Sequence, residues 1–371
     1  MGLTAIDLFC GAGGLSAGLA EAGFHVVGAL DSWEAAIRSY QRNFPHPVVL
    51  CDIRSMTVSD FLLRIGCGTA EIDLVAGGPP CQGFSVQRIG SDHDERNDLV
   101  FEFARFVCEI KPQMFLMENV PGLLGKRGAA FARSFEKMVS DLGYAVESVM
   151  VNAAEYGVPQ VRKRIFYYGW QESRVPRFRF PAATHSDAEF RTVWDAIGNL
   201  PPPRDTREAE TGGDPLHWRM KLSALNVERL HLIPPGGGFE SLPVNMRVNC
   251  HKRGAAKIGH RYVYGRLAPD RPSSTITARF DSFTRGKFGH PHEDRNLTLR
   301  EGARLQTFPD DFVFTGTQED IAALIGNAIP PLLAAAIGFA IFKHLGGGLG
   351  DNVQVRDIER AQYDLFDAHA K

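Results

Sequence analysis

Thr4-Ala5-Ile6-Asp7-Leu8-Phe9-Cys10-Gly11-Ala12-Gly13-Gly14-Leu15 stands almost at the start of the chain. An apolar run, Thr4–Leu8, ends in a turn rich in glycine, and an amphipathic stretch, Leu15–Glu21, follows it. Strand, glycine turn and helix in that order make a place where a ligand can approach the backbone closely. The turn alone is weak evidence, because many such turns need glycine for geometry only. Two acids strengthen it. Asp31 closes the next apolar run about twenty residues on, where a carboxylate can accept hydrogen bonds from ribose hydroxyls. Asp52 follows Val48-Val49-Leu50 and is placed to meet an adenine amino group, with Ile53 beside it. No Walker lysine follows the turn, so a triphosphate site is disfavoured and an adenosine-containing cofactor fits better.

Outward from this unit, short apolar runs alternate with amphipathic ones to about residue 170. Strands are expected at Thr4–Leu8, His25–Leu30, Leu74–Ala76, Met114–Met117, Ala145–Val151 and Ile165–Tyr168, with helices at Leu15–Glu21, Ala35–Asn43, Leu99–Ile110 and Ala129–Leu142. The pattern is α/β, built from βαβ units on a mostly parallel sheet. Ligands in such sheets bind beyond the carboxyl ends of the strands. After Pro181 the texture turns loop-rich, with Pro201-Pro202-Pro203 and Pro234-Pro235-Gly236-Gly237-Gly238 and short strands at Tyr262–Tyr264 and Ser274–Thr277. The expected organisation is a catalytic and cofactor-binding domain over 1–180 and a second domain over 181–317. A C-terminal helix over 318–346 returns to the first domain, and a polar tail fills 347–371.

The chain has 371 residues and a net charge of −2, which hides an asymmetry: residues 160–304 carry +10 and the remainder −12. A basic segment in an acidic chain is the footprint of a polyanion-binding face. The six cysteines form no CxxC pair and no signal-like segment opens the chain, so a reduced cytoplasmic protein without a metal site is expected. The longest apolar stretch, Ile329–Phe342, is shorter than the roughly 18 residues of a membrane span and reads as a buried helix.

Four places carry chemistry. Gly78-Pro79-Pro80-Cys81-Gln82 puts a cysteine on a proline-stiffened loop after a strand, a candidate nucleophile, although a lone cysteine more often packs as a small hydrophobe. Glu118 ends Phe115-Leu116-Met117 and could hydrogen-bond a ring nitrogen in its protonated form; an ordinary ion pair is the plainer reading. Asn119 reads as a loop-fixing residue. Arg162 and Arg164, two apart on a strand, share a face: one to contact a pyrimidine carbonyl or phosphate, the other to orient Glu118, unless they merely guard an exposed edge. Arg261-Tyr262-Val263-Tyr264-Gly265-Arg266 interleaves cations with aromatics, and Arg285-Gly286-Lys287 lies near Phe283 and Phe288, mixtures that nucleic-acid surfaces use and ordinary half-buried strands also show.

Together these stretches resemble the DNA (cytosine-5)-methyltransferases. The resemblance rests on Asp7–Gly14, Gly78–Ser85, Glu118–Val120, Gln160–Arg164, Arg271–Thr277 and Gly326–Pro331, in the family's order, and covers nearly everything except about 181–265 and the tail. It implies an S-adenosylmethionine-dependent methyltransferase (Rossmann-like) α/β fold, with helices on both faces of a mostly parallel sheet and a smaller loop-rich target-recognition domain. The implied reaction is sequence-specific methylation at C5 of a cytosine flipped out of double-stranded DNA, with S-adenosylhomocysteine as product and no metal. Cys81 would add to C6, Glu118 would stabilise the protonated N3, and Arg162 and Arg164 would hold the base and Glu118.

The resemblance assigns the cofactor to Phe9, Gly11, Ala12, Gly13, Gly14, Leu15, Asp31, Asp52, Ile53, Pro80, Leu99 and Asn327. It assigns substrate contacts to Gln82, Ser85, Arg271, Thr275 and Thr277. In many members an aromatic directly follows the acid equivalent to Asp31; here Ser32 intervenes before Trp33. The implied setting is a restriction-modification system, with room for a separate cognate endonuclease, no membrane, and a monomer sufficing. A transfer-RNA cytosine-5 methyltransferase ranks second, since that branch's Cys-Phe-Thr insertion is not evident. A catalytically idle DNA-binding regulator has no need of a nucleophile, and a small-molecule methyltransferase has no need of the basic second domain.

Overall fold

The computed structural model describes residues 2–80, 98–125, 128–205, 214–249 and 263–348. Strand and helix alternate through the first half: β1 Thr4–Leu8, α1 Gly14–Glu21, β2 His25–Asp31, α2 Glu34–Asn43, β3 Val48–Leu50, α3 Val58–Ile65, β4 Leu74–Gly77, α4 Leu99–Ile110, β5 Met114–Asn119, α5 Ala129–Ser140, β6 Tyr144–Asn152, β7 Gln160–Val161 and β8 Lys163–Gln171. Seven strands form one sheet in the order β3-β2-β1-β4-β5-β8-β6. The first five are parallel, and β8 runs antiparallel between β5 and β6. Sequence order and strand order diverge on either side of β1 and β4, the kind of switch point at which α/β sheets open a crevice.

Two-residue alternation sorts the side chains onto two buried faces. Ala5, Leu74, Ala76, Met114 and Leu116 join Leu15 and Leu19 of α1 in one core, while Ile6, Leu8, Val75, Phe115 and Met117 join the helices α3, α4 and α5 in another. These near-continuous apolar strands are what burial on both faces requires. Phe115 meets Phe135 edge-on, with centroids 5.7 Å apart, a geometry that adds about 1 kcal/mol beyond burial.

The second half is irregular. It contains α6 Val193–Ile197, α7 Ala224–Leu232, β9 Gly265–Arg266, β10 Ser273–Ser274, β11 Lys287–Gly289, α8 Leu299–Leu305, α9 Gln318–Asn327 and α10 Pro331–His344. The strand expected at Ser274–Thr277 is shorter and pairs with β7; that at Tyr262–Tyr264 falls partly outside the described residues, and Tyr264 itself precedes β9 with a left-handed φ of 58°. The terminal helix is two helices. Ala328 is extended, and the two prolines after Ile329 restart the chain as α10. A third core packs Ala12, Ala35 and Ala36 against Val193, Phe280, Phe308 and Ile325, so the irregular half and the end of β1 share apolar contacts.

The stretch Gln318–His344 is apolar and long enough to cross a membrane by composition, but 78% of its apolar 18-residue window is buried inside the fold, α10 lying against α1. Contact there is close: a Cβ on Gly18 would come 2.4 Å from the Pro331 carbonyl oxygen and 2.5 Å from the Ala335 nitrogen. Backbone cannot swing aside as a side chain can. Gly18→Ala is therefore expected to destabilise the protein by about 2 kcal/mol, seen as a melting temperature several degrees lower. An unchanged melting curve would mean that α1 and α10 do not pack this tightly.

Candidate active site

β1, β2, β4 and β5 deliver their carboxyl ends to one edge of the sheet, where a cavity of about 560 Å³ opens. The turn after β1 shapes one wall. Phe9, Gly11 and Gly13 all have left-handed φ, at 63°, 55° and 103°. For Phe9 this costs on the order of 1 kcal/mol, strain of the kind stored at functional sites. Where Gly11 lacks a Cβ there is open space, with nothing among the described residues within 4 Å. Asp31 ties the turn to β2: Oδ2 accepts the Gly11 N–H at 2.9 Å and Oδ1 the Trp33 N–H at 2.8 Å.

Most of the residues expected to hold a cofactor line this cavity. Phe9, Gly11, Gly14 and Leu15 come from the turn, Asp31 from β2, and Asp52 and Ile53 from the segment after β3. Pro80, Leu99 and Asn327 complete the set, from the loop after β4, the start of α4 and the end of α9. Trp33 lines it too, so the intervening Ser32 does not carry the aromatic away. Ala12 and Gly13 do not. The Ala12 methyl packs into the third core, and a Cβ on Gly13 would come 2.3 Å from the Phe44 ring. Their contribution is the shape of the turn. Asp52 is held by Arg54, whose Nη2 lies 2.6 Å from Oδ2, and that partner lowers its carboxyl below the ordinary range.

The same cavity takes in the candidate catalytic residues Glu118, Arg162 and Arg164. Glu118, on the same face of β5 as Leu116, and Arg164, near the start of β8, form an ion pair with Nε to Oε1 at 2.7 Å. Both are mostly buried, at 14% and 16% exposure, so the pair is held in place and shielded from bulk water. Arg162 is the correction to the expected strand: β7 ends at Val161 and β8 begins at Lys163, leaving Arg162 at the break. Nor is it an exposed edge. Its side chain is 1% exposed, and Nη1 donates to the carbonyls of Ile276 and Gly326, both at 3.1 Å. Arg162 and Arg164 still face the same cavity.

Cys81, Gln82 and Ser85 lie outside the described residues, as do Arg261 and Tyr262. Gly78, Pro79 and Pro80, the three residues leading to Cys81, line the cavity. Asn119 is the loop-fixing residue that its place suggested: its Nδ2 donates to the Pro79 carbonyl at 3.2 Å, and its Oδ1 accepts the Val120 N–H at 2.8 Å. The expected substrate contacts in the second half do not enter the cavity. Thr275 Oγ1 donates to the Val161 carbonyl at 2.9 Å, and Arg271 and Thr277 are exposed.

Two groups include residues that stood in quoted stretches, Gln160 and Asp7, but had no role of their own. Gln160, wholly buried, donates to Gln306 Oε1 at 2.7 Å and accepts the Ile276 N–H at 2.8 Å, while Gln306 donates to the Ile325 carbonyl at 2.6 Å. Only folding brings Gln306 to Gln160. The other is Asp7, fully buried in β1 and lining the cavity, its carboxyl pushed up to about 7, first by desolvation. A charge inside an apolar strand was the available signal. Among the described residues no three His, Cys, Asp or Glu side chains cluster as metal ligands.

A family model described as C-5 cytosine-specific DNA methylase matches residues 3–343. The chain is 37% identical over 354 residues to the type II methyltransferase M1.HphI of Haemophilus parahaemolyticus, covering 92% of this chain and 87% of the relative. It is 32% identical to the type II methylase M.HgiDII of Herpetosiphon aurantiacus, covering 95% and 98%. Among solved structures it is similar to a protein described as a prophage-encoded DNA modification methyltransferase of E. coli, with a TM-score of 0.72, 28% identity, and coverage of 93% and 99%. The Dnmt2 methyltransferase of S. pombe, at 20% identity and a TM-score of 0.57 over 93% and 99%, shares the fold.

Proposed function

The chain belongs to the C-5 cytosine-specific DNA methylase family and is an S-adenosylmethionine-dependent DNA (cytosine-5) methyltransferase; from that premise we propose how its residues divide the work. Carbon 5 of cytosine is too poor a nucleophile to attack a methyl donor unaided. Cys81, as thiolate, adds to C6, and the electron pair of the C5=C6 bond shifts to C5=C4 while that of C4=N3 moves onto N3, which takes a proton. Glu118 holds that proton by hydrogen bonding to N3. C5 then has enamine character and takes the methyl group. A base removes the C5 proton, and the returning electrons expel the Cys81 thiolate.

Arg164 is assigned to Glu118, which it already holds at 2.7 Å. Arg162 is assigned to the cytosine side of the cavity, its guanidinium braced by the carbonyls of Ile276 and Gly326. S-adenosylmethionine, when bound, supplies an electrophilic methyl on a sulfonium. The residues present fit it: Gly11 leaves open space, Asp31 and Asp52 face the cavity with oxygens suited to hydroxyl and amino groups, and Trp33 offers an aromatic wall. Phe9, Gly14, Leu15, Ile53, Pro80, Leu99 and Asn327 would enclose the remainder.

A base stacked in a duplex cannot reach a cavity bounded by strand ends, so the target cytosine must be flipped into it, at a cost of a few kcal/mol. The excess of basic residues between 160 and 304 supports a DNA face that offsets this cost, with 181–317 as the target-recognition region. The relatives named as type II methyltransferases support a restriction-modification setting. The observation that carries the reading is the placing of the Glu118–Arg164 pair and the Gly78–Pro80 loop in one cavity with Asp31, Trp33 and Asp52.

The test is methyl transfer from labelled S-adenosylmethionine to duplex DNA and to transfer RNA, with base-resolution mapping of the product. Label on C5 of cytosine in one recurring DNA sequence is expected, with DNA affinity falling steeply as salt rises. Label confined to RNA would overturn the assignment of substrate.

A further inference from the structure

Asp7 is a carboxyl inside an apolar strand, with none of its surface exposed. Ser16 Oγ donates to Oδ2 at 2.7 Å, but Oδ1, buried as well, has no hydrogen-bond partner among the described residues. Among the described residues the titratable groups around it are Asp31 on β2, Cys10 in the turn and Tyr40 on α2, and none of these brings a positive charge. An anion so placed is costly. Burial accordingly pushes this carboxyl up to about 7, with Asp31 adding to the rise. A cation in the cavity that Asp7 lines would reverse the balance.

A second observation gives the proton a route. Ser16 Oγ lies 2.6 Å from Tyr40 Oη, which lies 2.6 Å from His46 Nε2. His46 is half-buried and lines a second pocket, with Gln41 and Arg64. Burial and the neighbouring His25 hold its imidazole down to about 4, so it is neutral near pH 7 and Nε2 can either accept or donate. A continuous chain of hydrogen bonds thus joins the wall of the cofactor cavity to a second pocket, through side chains on α1 and α2 and beyond α2.

We propose that Asp7 distinguishes the cationic methyl donor from its product, and that Ser16, Tyr40 and His46 relay its proton to the second pocket as it ionises. The proposal rests on the S-adenosylmethionine reading of the cavity. The donor carries one positive charge more than S-adenosylhomocysteine, at the sulfonium. Ionised Asp7 favours the donor; once the methyl has left, that charge is gone. The proton on Asp7 Oδ2 passes to Ser16 Oγ, that of Ser16 to Tyr40 Oη, and that of Tyr40 to His46 Nε2, and the imidazole releases a proton from its other nitrogen. Each intermediate group gives up one proton and receives one. Afterwards every O–H and the Nε2–H point toward Asp7, the arrangement that best supports its carboxylate. Below about pH 7 the reverse movement returns the proton to Asp7 once the product stands in the cavity.

Calorimetric binding in two buffers of different ionisation heat, near pH 6 and near pH 8.5, tests this on the wild-type protein. The donor is expected to release close to one proton on binding at the lower pH and almost none at the higher, and the product none at either. Preference for donor over product should rise, by up to about tenfold per pH unit, as pH approaches about 7, and then level off. Asp7→Asn should erase both the release and the pH dependence. Tyr40→Phe retains Asp7 but removes a donor from the chain, and should raise the pH at which half a proton is released. Equal proton release for donor and product in the wild type would overturn the proposal while leaving the cofactor reading intact. Failure of both ligands to bind would overturn the cofactor reading and the proposal with it.

Discussion

Cys81→Ser will leave S-adenosylmethionine binding intact and lower methyl transfer by at least roughly 10³-fold, because a serine hydroxyl is far less nucleophilic than a thiolate and forms a poorer leaving group on elimination. The measurement is a single-turnover assay with duplex DNA, alongside cofactor binding by calorimetry. The other thiols make useful contrasts. Cys10, Cys67 and Cys108 are pushed up by burial, away from the thiolate, with Cys67 at about 11. Cys51 lines the cavity, but beside Asp52, with its thiol donating to the Asp52 carbonyl at 3.3 Å. Cys51→Ser is expected to keep substantial activity. If Cys81→Ser kept it instead, the covalent mechanism would fall.

Glu118→Gln is expected to reduce the transfer rate by about 10² to 10⁴, the usual worth of a positioned acid or base, with little change in cofactor affinity. The amide keeps the shape of the side chain but has no proton to share with N3 in the same way, and it loses its charge partner in Arg164, 2.7 Å away. Arg164→Met should also slow transfer, by freeing Glu118. Because the two act as one unit, the double variant should be little worse than Glu118→Gln alone; losses that simply multiply would show that Arg164 acts independently of Glu118. Binding of DNA measured in parallel separates a loss of chemistry from a loss of affinity.

Much of this architecture is a local matter, and local matters are legible. β1 and α4 fall where apolar runs and helical periodicity put them, Thr4–Leu8 and Leu99–Ile110, because each buries residues at the spacing its own geometry demands. Short elements were harder. α3, Val58–Ile65, is capped by Thr57 and stopped by Gly66 in a left-handed conformation, yet its eight residues carry an apolar pattern too brief to mark a helix. β3 is three residues long and exists because β2 pairs with it.

The sequence by itself determined the α/β class, the glycine turn, the two acids beyond it, and the pairing of Glu118 with an arginine two residues from another. Those features depend on residue type and on spacing within a single element. What only the tertiary structure decided lies between elements far apart in the chain. Arg162 is buried because the carbonyls of Ile276 and Gly326, more than a hundred residues away, converge on its guanidinium. Gln306 becomes part of the same region because Gln160 meets it. Asp7, Ser16, Tyr40 and His46 form a chain only because α1 and α2 fold over one face of β1. Hydrogen bonds act at about 3 Å, and no spacing along a chain can express which distant groups will stand that close.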